Sequence, residues 1–548
     1  MMQWSKVAEE AQNTVLDAIP TAWRLAPTSK PKSPAASVIH VPRDCGVLTP
    51  KQIEITEQSL VALTEKIARR ELTSVEVTEA FCARAAIAHQ LTNCLTAFFP
   101  DEALLTAKAH DDHYAATGKV LGPLHGVPLA IKDQYHVRGH ASTLGYVANY
   151  EIVSQEDAAI VRVLRDSGAV IFAQTTMPQT GMALETSSPL WGTTINPYNG
   201  LLVSGGSSGG DAVLVAMRGS PVCPSSDIGG SIRVPAAFNG LYSIKPSADR
   251  ICKTGLSTTL GGQISIKTSC GPVCHSLDDL KLFVEIINAY PRLQFEPAVV
   301  PMPWRHLEPP QRKLTVALWK FDGVCMPHPP IVRALKETAE QLIASGHEVI
   351  EINLPLDSWK VALTTWKLYF QTGALELKAR LAEGNEEMLP SLKRHLEVFG
   401  IKPLTAAESF GLNREMMEYK TTMSNWWSTS SRTSRGRPFD AIIAPVHPSA
   451  SYTHNFPSWW GYSSIWNILD YPSLTLPLKK FRIAAELDPK DLTYTPLDNP
   501  FDKATYEMYD PKLFAAQPVC LQIVGRPFQD EELVSVTEVI DNVLNSGV

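Results

Sequence analysis

Two glycine-flanked serines lie 24 residues apart, Ser207 in Gly205-Gly206-Ser207-Ser208-Gly209-Gly210 and Ser231 in Asp227-Ile228-Gly229-Gly230-Ser231-Ile232-Arg233-Val234-Pro235. A lysine, Lys132, closes the apolar run Val127-Pro128-Leu129-Ala130-Ile131, 75 residues before Ser207. A serine hydroxyl attacks a carbonyl usefully only when a positioned base takes its proton. Neither serine motif contains a histidine, and a Ser-Lys arrangement is a known alternative solution. Lysine can serve only when neutral, and burial in a low-dielectric strand lowers its reference pKa of ~10.4 because desolvation disfavours the ammonium. Asp133, next in the chain, opposes that shift. Two serines and a lysine read in this way make a proton relay for acyl transfer.

The glycines have a second use. Gly229 and Gly230 let the backbone turn tightly and present successive N–H groups to a developing oxyanion. The glycines around Ser207 permit a backbone that a Cβ would resist, so that this serine can be aimed inward. Asp211 is read as favouring the start of a helix Ala212 to Met217 through the helix dipole. Taken alone, the first run also fits a flexible linker. It is not a phosphate-binding loop, because the Gly-Lys-Ser/Thr ending is missing.

With Lys132, Ser207 and Ser231 in this order and spacing, and with Leu121-Gly-Pro-Leu-His-Gly-Val-Pro128 leading into the lysine, the sequence resembles the amidase signature family, whose members hydrolyse amides. Pro518-Val-Cys-Leu-Gln-Ile-Val-Gly-Arg526 looks like that family's closing strand. Glu71-Leu-Thr-Ser-Val-Glu-Val-Thr78, Gln90-Leu-Thr-Asn-Cys94 and the segment from Phe321 to Pro330 are most similar to fungal acetamidases and general amidases. The resemblance implies an α/β amidase signature fold, a central mixed β-sheet flanked by helices on both faces, over residues 50–545. Its catalytic half spans about 110–290, a Pro-rich connection about 296–310, and a C-terminal α/β half about 311–545.

By the same resemblance Ser231 is the nucleophile, Ser207 the bridging residue after a cis peptide bond, and Lys132 the base. The N–H groups of Ile228, Gly229, Gly230 and Ser231 form the oxyanion hole. Gly181, Met182 and Ser208 are expected at the substrate, with Gly181 and Met182 leaving room for more than an acetyl group. Trp426, Trp427, Trp459, Trp460 and Trp466 either close the far side of the acyl pocket or pack in the core. Pro224 and Ser225 depart from the family pattern just before the oxyanion turn, whereas Ser226 keeps its hydroxyl. The implied activity is hydrolysis of a small-molecule amide through an acyl-enzyme. The alternatives are a biosynthetic acyltransferase, cyclase or ester hydrolase using that acyl-enzyme, or an inactive or partner-dependent amidotransferase-like subunit. No cofactor and no metal is expected.

The elements that must carry these groups are visible locally. Trp4, Val7, Ala11, Val15 and Ile19 recur at helical spacing, so residues 1–49 read as a helical arm followed by a Pro/Ser/Lys-rich loop. Thr73-Ser-Val-Glu76 is a capping box opening a helix. A helix over 157–168, the strands 169–173, 315–319 and 348–352, and a helix 331–344 stopped by Gly346 alternate as in an α/β sheet. At 548 residues with 44% hydrophobic and 19% charged, the chain can bury a large core. Its net charge of -7 and lack of like-charge blocks give no reason to bind nucleic acid. No membrane span is expected, since no run of 18 apolar residues occurs. Nine cysteines without a Cys-x-x-Cys pair, and an N-terminus with no apolar signal core, point to a reducing, cytoplasmic setting. A homodimer is the assembly kept in view.

Overall fold

The computed structural model of the chain describes residues 4–290, 296–429 and 433–547. Thirteen strands run through it: β1 Leu95–Phe98, β2 Pro128–Lys132, β3 Val170–Thr175, β4 Ser187–Ser188, β5 Gly192–Thr193, β6 Val222–Asp227, β7 Tyr242–Lys245, β8 Ser269–Cys274, β9 Thr315–Trp319, β10 Glu348–Ile352, β11 Ala441–Pro445, β12 Ser473–Pro477 and β13 Cys520–Val524. Eight of them form one mixed sheet in the order β10-β9-β11-β13-β12-β7-β8-β6. β10, β9 and β11 are parallel, and the remaining pairings are antiparallel. A three-stranded sheet, β1-β3-β2, brings β2 alongside β6.

The period of two along each strand decides which core a side chain enters. Val316 and Leu318 of β9, Ile443 of β11 and Leu521 and Ile523 of β13 point into one core, shared with the helices Pro329–Ala344 and Asp530–Asn545. Their neighbours Ala317, Trp319, Ile442, Ala444 and Val524 enter the opposite core, shared with the helices Ser358–Tyr369 and Gly461–Ile468. Each large apolar side chain so buried contributes roughly 1.5–3 kcal/mol, so the sheet is held from both faces.

The sheet also crosses the Pro-rich connection. β7, from the serine-bearing half, pairs with β12 of the C-terminal half, Ser473 opposite Lys245 and Thr475 opposite Ser243. The connection itself is tied down by Arg305, whose guanidinium meets Glu531 at 3.0 Å and Glu532 at 2.6 Å.

At the N-terminus, the helix Trp4–Asp17 turns Val7, Ala8, Ala11 and Val15 inward. Val7, Ala11 and Val15, with Ile19, join a core that also holds Cys82, Ala85 and Ile87 of the helix Ser74–Thr92. The arm therefore packs on the body of the protein. The capping box forms as the sequence predicts: Thr73 accepts the N–H of Glu76 at 3.1 Å, while the Glu76 carboxylate accepts that of Thr73 at 2.9 Å. All nine cysteines are unpaired. Among the described residues no helix is long and apolar enough to cross a membrane, and no cluster of three metal-ligating side chains occurs.

Candidate active site

Lys132 is the last residue of β2, whose five residues are all buried. Its side chain is fully buried, and its ammonium nitrogen lies 2.9 Å from Ser207 Oγ, 3.0 Å from Ser226 Oγ and 3.4 Å from the Ser226 carbonyl. Burial pulls its pKa down to about 8, against the pull of the carboxylates of Asp211, Asp227 and Asp133. Ser207 sits between the cis Gly206–Ser207 bond and the helix Gly209–Ala216. Ser231 sits in the turn between β6 and the helix Arg233–Phe238, and its carbonyl accepts the N–H of Ser208 at 3.2 Å. Ser207 and Ser231 line one cavity together with Ser226, Gln134, Gly181 and Met182. The three residues singled out by sequence thus converge from three separate elements. Ser208 is buried and is not among the residues that line the cavity.

The turn carrying Ser231 is organised by Asp227. Its carboxylate accepts the N–H of Gly230 at 2.8 Å and of Ile232 at 3.1 Å, and forms a fully buried pair with Arg233 at 3.0 Å. Burial alone would raise its pKa, but the Arg233 guanidinium and Asn467 hold it well below the usual carboxylate range. Among the four N–H groups expected as oxyanion donors, this turn sets one apart. The Gly230 N–H is already committed, while those of Ile228, Gly229 and Ser231 have no acceptor among the described residues. Gly230 itself has φ +128, and a Cβ there would stand 2.5 Å from Ser463 Oγ.

Pro224 and Ser225 do not displace this turn. β6 runs in unbroken antiparallel register with β8, Pro224 opposite Pro272 and Ser225 opposite Gly271. The Ser225 hydroxyl donates to Asp211 Oδ2 at 2.8 Å. Asp211, read as favouring the helix start through the dipole, does lie in the first turn of that helix, and it has a second role there. The helix begins at Gly209, and Asp211 points inward, fully buried, receiving the hydroxyls of Thr175 and Ser225. Burial raises its pKa to about 6. A buried carboxylate needs donors, and the unusual serine supplies one.

Two further residues contact Lys132's surroundings without having been expected there. The Ser226 hydroxyl, which receives the Lys132 N–H, donates to Gln134 Oε1, and Gln134 Nε2 donates to the Ser257 carbonyl at 3.1 Å. Ser226 carried a sequence signal, a hydroxyl in an otherwise altered segment; Gln134 carried none.

The cavity volume is about 30 Å³, enough for roughly two water-sized groups. Gly181 and Met182 both line this cavity, and a Cβ on Gly181 would stand 2.9 Å from Met177 Cε, the tip of a flexible side chain. The tryptophans do not close the far side: Trp426, Trp427, Trp459, Trp460 and Trp466 all belong to a buried core, and the wall is made by Thr258, Thr259, Leu260 and Thr268. Ile228, Thr258, Leu260 and Thr268 also line an outer cavity of about 520 Å³, bordered by Lys253, Lys267 and Asp249.

Comparison with known proteins shows what the chain is similar to. The sequence profile of the Amidase family matches residues 76–534. An amidase of Gibberella zeae is 49% identical over 547 residues, covering 100% of both chains. An acetamidase of Emericella nidulans is 34% identical over 553 residues, covering 100% of this chain and 99% of its own. Among solved structures, a fatty acid amide hydrolase superposes with a TM-score of 0.94 at 31% identity, covering 99% of this chain and 95% of that one.

Proposed function

We propose that this chain, which belongs to the amidase family and is an amide-hydrolysing enzyme, works through an acyl-enzyme on Ser231 with Ser207 and Lys132 as its proton relay. The observation that carries the reading is the 2.9 Å contact between a fully buried Lys132 and Ser207, in a cavity shared with Ser231. A neutral lysine has two N–H groups and one lone pair. The Ser226 carbonyl and hydroxyl accept the two N–H groups, which leaves the lone pair for the Ser207 hydroxyl.

Ser231 Oγ attacks the amide carbon as its proton passes to Ser207, and that of Ser207 passes to Lys132. The tetrahedral oxyanion is held by the N–H groups of Ile228, Gly229 and Ser231, each such donor being worth about 3 kcal/mol. As the C–N bond breaks, the relay runs backwards and protonates the leaving nitrogen, releasing ammonia or an amine. Water then attacks the ester with the same proton path and frees the carboxylic acid. Short acyl groups fit a cavity of about 30 Å³ better than long ones. Nine unpaired cysteines fit a reducing, cytoplasmic setting.

The test is ammonia or amine release from short-chain, aromatic and long-chain amides by the purified chain, with Ser231→Ala and Lys132→Ala beside it. Release that vanishes in both variants, with the short-chain amides turned over fastest, is expected. Undiminished turnover by either variant would refute the assignment.

A further inference from the structure

Resting on the proposed acyl-enzyme chemistry, we infer that Tyr369 is a positioning residue that sets the direction of the Gly229 N–H, and so prepares one of the three oxyanion donors. Tyr369 lies 138 residues after Ser231 in the sequence, as the last residue of the helix Ser358–Tyr369. Its hydroxyl donates to the carbonyl of Ile228. In the next peptide, the carbonyl of Gly229 accepts Ser463 Oγ at 2.7 Å. Side chains from the C-terminal half therefore hold two consecutive carbonyls of the oxyanion turn.

Peptide planarity turns those contacts into a statement about the N–H groups. In a trans peptide the C=O of one residue and the N–H of the next point in opposite directions, and Gly206–Ser207 is the only cis bond among the described residues. Drawing the Gly229 carbonyl toward Ser463 sends the Gly230 N–H the other way, where it meets Asp227 Oδ1 at 2.8 Å. Drawing the Ile228 carbonyl toward Tyr369 sends the Gly229 N–H away from Tyr369. No group of the protein accepts it among the described residues, and Ile228 and Ser231 on either side of it line the catalytic cavity.

Tyr369 is well suited to the task. Its side chain is buried, with Trp366 at 6.0 Å edge-on, and burial pushes the phenol pKa far up, so the hydroxyl remains a donor. The approach is close: a Cβ on Gly229 would stand 3.0 Å from Tyr369 Oη and 3.1 Å from Trp460 Cε3. Glycines alone would leave this peptide free to rotate, and the phenol supplies the missing constraint.

The experiment is Tyr369→Phe, which keeps the ring and removes the donor. Removing an oxyanion donor outright costs about 10²–10³ in kcat, so misaiming one should cost roughly tenfold or more while KM stays within about threefold. A trifluoromethyl ketone, whose Ser231 adduct carries an oxyanion, should lose affinity by a factor similar to that in kcat/KM. A ketone-free isostere of the substrate that forms no adduct should bind as before. Unchanged kcat, or equal weakening of both ligands, would overturn the inference. If the Phe variant does not fold, 2,3,5-trifluorotyrosine at position 369 keeps the bulk and alters the donor strength; a kcat shift at constant KM is expected, and an unshifted kcat overturns the inference. Ser231→Ala is run in parallel. Turnover persisting there refutes the proposed function, whereas an inactive Ser231→Ala beside a fully active Tyr369→Phe refutes only the role of Tyr369.

Discussion

The pH dependence of turnover measures the base directly. Lys132 must be neutral to take the Ser207 proton, and its burial lowers its pKa to about 8. A group with that pKa is about 10% neutral at pH 7 and about 90% neutral at pH 9, so kcat/KM for an uncharged amide should rise roughly tenfold between those values and then level off. An ordinary lysine, with a pKa of ~10.4, would instead give about a hundredfold rise over the same range, still climbing at pH 10. The sign follows from the chemistry: protonation at low pH removes the lone pair, so activity is lost on the acid side. The assay is kcat/KM for ammonia release between pH 6 and 10, on the free-enzyme limb, with folding checked by circular dichroism at each pH. A flat profile, or a unit slope continuing past pH 10, would refute the assignment of Lys132 as a depressed-pKa base.

Three further outcomes follow from its neighbours. Asp211 is the charge that most favours the ammonium of Lys132, so Asp211→Asn should move the same limb to lower pH, and a limb that moves upward would contradict the arrangement. Ser225→Gly would strip a buried carboxylate of the donor 2.8 Å away and should cost about 1–3 kcal/mol in urea unfolding; an unchanged midpoint would show that the departure from the family pattern carries no load. Asp227→Ala would strand the fully buried guanidinium of Arg233 and free the Gly230 N–H, so a loss of about 3–5 kcal/mol of stability is expected, together with loss of turnover at temperatures where the variant remains folded.

Much of the scaffold was legible because its signals are local. The strands 315–319 and 348–352 fall where β-branched and apolar residues predict them, and Thr73 and Glu76 cap their helix through contacts three residues apart. Boundaries were softer: the helix expected from 157 spans Ala159–Asp166, and the one expected from Ala212 begins at Gly209. The reading of Asp211 was incomplete for a related reason. A carboxylate in the first turn of a helix satisfies the dipole argument in any surroundings, and nothing in its own segment announces that Thr175 and Ser225 converge on it.

The sequence by itself determined which groups are proposed to react, since two glycine-flanked serines and a strand-end lysine carry their chemistry and much of their backbone geometry in short motifs. Only the tertiary structure decided how they are aimed. The pairing of β7 with β12 places the C-terminal half against the turn after β6, and there Tyr369 and Ser463 reach the carbonyls of Ile228 and Gly229. It also decided that the five tryptophans pack in a core, while residues 258–260 and 268 bound the cavity. The physical reason is the reach of each signal. Propensity, capping and motif spacing act within a few residues, whereas the direction of a peptide N–H or the wall of a cavity depends on side chains brought together from hundreds of residues apart by packing on the two faces of one sheet.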